Sequence, residues 1–162
     1  MLHVGSFSKT IIPALRLGFI VVPPELSRRF AELAASLAPA PAAGMQRAVA
    51  EFLREGHYLR HLRRMKRLYA ARRETLLRCL GEMAPDSIKV QATAGLAVVV
   101  LLPKSVSDVE VVSRALAFGL GPRPISAWYV QPPRQQGLLL CVTNLNERRL
   151  PADCRRLLEL AR

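Results

Sequence analysis

Lys9 and Arg16 stand seven residues apart in the stretch GSFSKTIIPALRLGF, residues 5–19, with Ser6 and Ser8 just ahead of the lysine and Pro13 between the two bases. A lysine amine attacks aldehydes, and it does so best when partly desolvated and aimed by a rigid loop. Serine hydroxyls and an arginine shielded from water are suited to hold a phosphate. Gly5, Ser6 and Ser8 are small enough to let a flat molecule approach the backbone. An aldehyde and a phosphate on one flat ring are the features of pyridoxal 5'-phosphate. The alternative on the residues alone is a solvated loop lysine at Lys9 and an Arg16 paired with a surface acid.

The flanking sequence explains how such a loop could be held. LHVG is a short apolar strand ending at Gly5, and RLGFIVVP is a second, stopped by Pro23 and Pro24, which cannot donate to a ladder. The stretch therefore joins two strands. PPELSRRFAELAASL follows with proline at its start, an acid in its first turn and Leu26, Phe30 and Leu33 on one face, which predicts an amphipathic helix. APAPAAG, residues 38–44, is a connector. From Met45 to Met83 the pattern is helical, with Leu59, Leu62, Met65, Tyr69, Leu76 and Leu80 on one stripe and Gly56 as a bend or break. IKVQ, GLAVVVLLP and LLLCVTNL then read as short strands. Between them a helix capped by Ser105 or Ser107 ends at Gly119, and a second helix closes the chain.

Bulk properties narrow the function classes. The 162 residues are 51% hydrophobic and 22% charged, enough for a real core, and no apolar run reaches the roughly 18 residues of a membrane span. No secretion signal is evident, and Cys79, Cys141 and Cys154 are far apart with no CxxC pair. The expectation is a cytoplasmic protein with reduced thiols and no membrane partner.

The segment SFSKTIIPALRLG closely resembles the S-x-S-K-x-x-x-P-x-x-R-x-G signature of fold type I pyridoxal-phosphate enzymes, in particular their aminoadipate-aminotransferase-like and MocR branches. In that resemblance Lys9 matches the lysine that carries the cofactor, Ser6 and Arg16 match phosphate ligands, Ser8 stands in the same shell, and Gly18 matches the glycine that follows in the strand. Residues 46–77, with HLRRM and RLYAARR, resemble the long connecting helices of MocR regulators, which fuse a GntR-type winged helix to an aminotransferase-like domain. The likeness continues through AGLAVVVLLP to LLLCVTNL. It implies an α/β fragment of a fold type I aminotransferase: residues 1–44 as the end of the large cofactor-binding domain, 45–84 as connecting helices, and 85–162 as the small C-terminal α+β domain.

The family's ring-stacking aromatic, the aspartate paired with the pyridinium nitrogen and the glycine-rich phosphate loop are not found in these residues. The chain alone is accordingly expected to be inactive. The arginine that clamps a substrate carboxylate in the last strand of amino-acid aminotransferases aligns with Leu139, leaving Arg123 or Arg134 to substitute from a loop. The resemblance therefore implies the effector domain of a MocR-type regulator. Such a domain would form a homodimer, bind an amine or amino-acid effector, and meet DNA only through a winged-helix domain absent from these residues. The alternatives are a class I/II aminotransferase, active as a pyridoxal-phosphate-dependent transaminase, and a non-catalytic basic scaffold that has lost the cofactor.

Charge leaves a further question open. The formal net charge is +12, and from Arg54 to Arg78 nine Lys or Arg face two acids, Glu55 and Glu74. Such a face can attract nucleic-acid phosphates with salt-dependent, sequence-independent affinity, or it can simply be solvated. His57 and His61 share a helix face at metal-ligand spacing, but with no third ligand they read as ordinary surface histidines, so no metal is expected.

Overall fold

The computed structural model describes residues 1–37, 42–92 and 95–162, and the chain divides into two compact units, residues 1–64 and 65–162. The connector read at 38–44 falls largely outside the described residues.

The first unit opens with the antiparallel pair β1 (His3–Ser6) and β2 (Gly18–Val21), in register from His3 opposite Val21 to Ser6 opposite Gly18. Helix α1 (Pro24–Leu37) carries Glu25 in its first turn, where a carboxylate complements the helix dipole. Its apolar stripe is present, yet Leu26 and Leu33 are exposed within this unit. Helix α2 (Ala43–Arg54) is followed by α3 (His57–Met83). The break is at Gly56, whose φ of 73° lies in the left-handed region that glycine tolerates without steric cost. The unit's small core is Phe7, Leu17 and Val49, with Ile11, Leu15 and Tyr58 packed around it.

The second unit is a four-stranded antiparallel sheet in the order β3 (Lys89–Ala92), β4 (Ala97–Leu102), β6 (Gln136–Cys141), β5 (Arg123–Pro124). Strand alternation puts Val98, Val100 and Leu102 of β4, with Leu138 of β6, on one buried face. That face is closed by Leu76, Cys79 and Leu80 of α3, Val111 and Ala115 of α4 (Asp108–Leu116), and Leu157 and Leu158 of α5 (Leu150–Leu160). Ser107 is the cap of α4, accepting from Glu110 N at 3.3 Å, and the helix terminates before Gly119 at φ 71°.

The α3 stripe is buried only toward its C-terminal end: Leu76 and Leu80 are core residues, whereas Leu59, near the start, is exposed. Arg72 donates to the Thr143 carbonyl at 2.7 Å and Arg73 to the Gly95 carbonyl at 3.0 Å, so these two bases hold α3 against the sheet's loops.

Strand β5 and the 3-10 turn at Ser126–Trp128 lack a local sequence signal. Asp108 makes them. Its fully buried carboxylate accepts from Ser126 N at 2.9 Å, from the Ser126 hydroxyl and from Gly137 N at 3.0 Å, while its own N–H donates to Gln136 Oε1 at 3.0 Å. One side chain thus joins the start of α4, the turn and β6. Gly137 is required by close packing: a Cβ there would stand 2.8 Å from the Val100 carbonyl oxygen and 2.7 Å from Ile125 Cδ1. Gly137→Ala is expected to lower unfolding free energy by about 1–3 kcal/mol through overpacking. An unchanged denaturant midpoint would show that Ile125 and the Val100 carbonyl give way freely.

Candidate cofactor site

The loop from Ser6 to Leu17 is built outward from two buried side chains. Phe7 and Leu17 point into the first unit's core, and Phe7 N donates to Leu17 O at 3.0 Å, extending the β1–β2 ladder by one rung. With Phe7 inward, Ser6 at the end of β1 falls on the other side of the strand. Thr10 N and Ile11 N both donate to the Phe7 carbonyl, at 3.2 and 2.8 Å, which curls the chain into a turn around Ser8 and Lys9. The return leg is a 3-10 turn, Pro13–Leu15, with proline at its start where a missing N–H costs nothing. Gly18 admits the opposing strand closely, because a Cβ there would lie 3.0 Å from the Gly5 carbonyl oxygen.

Arg16 follows that turn with φ 47° and ψ 31°, its N–H donating to Pro13 O at 3.3 Å. It is the non-glycine residue with positive φ among those described. For a residue carrying a Cβ this conformation costs about 1–2 kcal/mol. Such strain concentrates at ligand clamps, where position matters more than local comfort.

Ser6, Lys9 and Arg16 are exposed and Ser8 is half-buried. The shielding that the sequence suggested for the lysine and the arginine is therefore not supplied by this unit, whose core lies on the opposite side of the loop. Among the described residues neither Lys9 nor Arg16 has a carboxylate within ion-pair distance. Ser6 Oγ accepts from Ser8 N at 3.2 Å, so its own O–H remains free to donate outward. An amine, hydroxyl donors and an unpaired guanidinium on one short loop are the donor set that an aldehyde and a phosphate require. Thr10, next to the lysine, has a buried hydroxyl with no hydrogen-bond partner among the described residues.

His61 makes a contact with the lysine loop that sequence reasoning missed. Its Nε2 donates to the Thr10 carbonyl at 2.9 Å, tying α3 to the lysine loop. Only the non-local approach of α3 reveals this; from the sequence His61, like His57, reads as an ordinary surface histidine. His57 has separate partners, Glu55 at 2.9 Å and Arg60 at 2.8 Å. Among the described residues no group of three His, Cys, Asp or Glu could hold a metal ion. Cys79 and Cys154 are buried, and burial, reinforced by neighbouring Cys79, pushes the Cys154 thiol up to about 12, so it stays protonated. Cys141 is exposed, 3.1 Å from Thr143 Oγ1.

In the second unit, Leu139 lies half-buried on β6 rather than in the core, with Arg123 of β5 directly opposite. Residues opposite each other in an antiparallel pair leave the same face of the sheet. Arg123 thus stands on an edge strand rather than in a loop, and Arg134 is exposed in the segment before β6.

A profile of the family "Aminotransferase class I and II" matches residues 1–137. The chain belongs to the class I and II aminotransferase family. Within that family it is an aminotransferase-like domain homologous to MocR-type regulators of the GntR group and to aminotransferases. It is 33% identical over 141 residues to the probable rhizopine catabolism regulatory protein MocR of Rhizobium meliloti, covering 86% of this chain and 29% of that protein. It is 27% identical to the uncharacterized HTH-type transcriptional regulator YhdI of Bacillus subtilis (strain 168), covering 91% of this chain and 32% of that protein. Among solved structures, the multiple substrate aminotransferase of Thermococcus profundus superposes with a TM-score of 0.84 at 25% identity, over 99% of this chain and 40% of that one. The α/β architecture of fold type I aminotransferases is thereby established, and the chain spans about a third of the length of the curated relatives it matches. Among the described residues no helix is long and apolar enough to cross a membrane.

Proposed function

We propose that this aminotransferase-like domain binds pyridoxal phosphate through Lys9, Ser6, Ser8 and Arg16 and serves as the effector-binding part of a MocR-type transcriptional regulator. The observation that carries the reading is Arg16, held in a left-handed conformation at the loop's return, with a guanidinium unpaired by any carboxylate among the described residues. When bound, pyridoxal phosphate supplies an aldehyde and an electron-withdrawing ring. Lys9 contributes the amine for that aldehyde and a base that can hold or return a proton at Nζ. The Ser6 hydroxyl and the Arg16 fork donate to phosphate oxygens, Ser8 stands in the same shell, and His61 fixes the carbonyl beside the lysine.

Residues 1–44 are read as the end of the large cofactor-binding domain, 45–84 as connecting helices and 85–162 as the small domain. The working assembly is a homodimer in the cytoplasm, responding to an amine or amino acid, and a winged helix outside these residues reads the DNA sequence. Leu139 favours sensing over turnover of ordinary α-amino acids, because an alkyl side chain offers a carboxylate no donor. Likeness to the Thermococcus profundus enzyme supports a second reading, an aminotransferase. Multiple turnover of an amino donor and a keto acid by the intact protein would establish it.

Arg16→Gly separates clamp from scaffold. Glycine relieves the left-handed strain, so stability should hold or rise by about 1 kcal/mol. Affinity for pyridoxal phosphate should fall at least tenfold, consistent with removal of one charge-assisted hydrogen bond, while affinity for phosphate-free pyridoxal stays unchanged. Equal losses for both compounds in a titration would remove Arg16 from the phosphate site.

A further inference from the structure

The outward face of α3 has no partner in the cofactor reading. Tyr69, Leu76 and Leu80 of its apolar stripe pack against the core, with Leu62 and Met65 half-buried in line with them, and at 3.6 residues per turn Arg60, Arg64, Arg67 and Arg78 lie on the opposite side, with Arg63 beside them. All five arginines are exposed. Among the described residues none forms an ion pair with a carboxylate: the pairs present join Arg28 to Glu32, His57 to Glu55, Arg149 to Asp153 and Arg156 to Glu159. Arg60 rests on His57 Nδ1 at 2.8 Å. Glu74 is the acid between Arg60 and Arg78, and it lies beyond the dense turns from 60 to 67. Arg72 and Arg73 bond backbone carbonyls, whereas on this face the side-chain bond present among the described residues is the one from Arg60 to His57 within α3.

We propose that this arginine face of α3 binds the phosphate backbone of duplex DNA, without reading sequence. The occupant follows from charge complementarity. A helix surface with four arginines in eight residues, on a chain of net charge +12, concentrates positive charge with no carboxylate at ion-pair distance among the described residues. Arginine forks match phosphate oxygens bidentately. The matched curated relatives include proteins named as HTH-type transcriptional regulators, so duplex DNA is a polyanion such a protein meets. Phosphate binding of this kind positions a regulator on DNA while leaving base recognition to another element.

The test is the salt dependence of binding by the intact protein to a mixed-sequence duplex about three helical turns long. Replacing Arg60, Arg63, Arg64 and Arg67 with glutamine should lower the slope of log affinity against log salt by about 0.9 for each phosphate no longer neutralised, a total of about 2 to 4. Replacing them with lysine, which keeps the charge, should leave the slope near that of the parent. A control set of equal charge change, Lys104, Arg114, Arg148 and Arg155 to glutamine, should leave it within about 0.9 of the parent. An unchanged slope in the α3 glutamine variant overturns the proposal, as does an equal fall in the control set, which would mark net charge rather than this face. A fall in the lysine variant equal to that in the glutamine variant also overturns it, because damage to the fold would then be the cause. Covalent capture at Lys9 is read on the same samples and reports on the cofactor site independently.

Discussion

Lys9→Ala is expected to abolish covalent capture of pyridoxal phosphate by the intact protein. Lysine supplies the nucleophilic nitrogen, and alanine leaves the loop with no amine: Ser6, Ser8 and Thr10 carry hydroxyls, and Arg16 carries a guanidinium, whose delocalised nitrogens do not attack aldehydes. The expected result is a cofactor-sized mass on the Lys9 peptide after borohydride reduction of the parent protein, and none on that peptide in the variant. Phosphate binding should persist, because Ser6 and Arg16 are untouched, so the cofactor should still protect the variant weakly against unfolding. Labelling of the variant at another lysine to the same extent would show that capture is unspecific and that the loop is not the site. The Arg16→Gly titration and this experiment fail independently, one on the phosphate and the other on the aldehyde.

Asp108→Ala should have the largest effect on stability. The carboxylate is completely buried and satisfies Ser126 N, the Ser126 hydroxyl and Gly137 N at once. Removing it strands those donors beneath the sheet edge, at about 1–3 kcal/mol for each buried group left without a partner. A loss of about 3–5 kcal/mol is expected, a large share of a typical domain's margin. Denaturant unfolding followed by circular dichroism measures it. Asp108→Asn keeps one acceptor and should recover part of the loss; a loss below about 1 kcal/mol for the alanine variant would show that the turn and β5 are held by packing instead.

Much of the architecture was legible because its causes are local. Pro23 and Pro24 end a strand by lacking a donor, Gly56 breaks the long helical pattern by tolerating positive φ, and Ser107 caps α4 through its own hydroxyl. The strand–loop–strand around Lys9 was legible for the same reason: two apolar runs bound a polar loop, and the β1–β2 register places Ser6 opposite Gly18 as those runs require. Strand β5 was not legible. Two residues, Arg123 and Pro124, carry no periodicity, and their place at the sheet edge depends on hydrogen bonds spanning up to 29 residues from Asp108.

The amino-acid sequence by itself determined the family, and it singled out Lys9, Ser6 and Arg16 as the proposed site, because the motif that carries both is one of residue type and spacing within one loop. Tertiary structure alone decided that Arg16 sits in a left-handed conformation, that His61 reaches back from α3 to the Thr10 carbonyl, and that Arg123 stands opposite Leu139. Each of those depends on backbone closure or on contacts between residues distant in the chain, and closure is set by which cores can be packed rather than by any short motif.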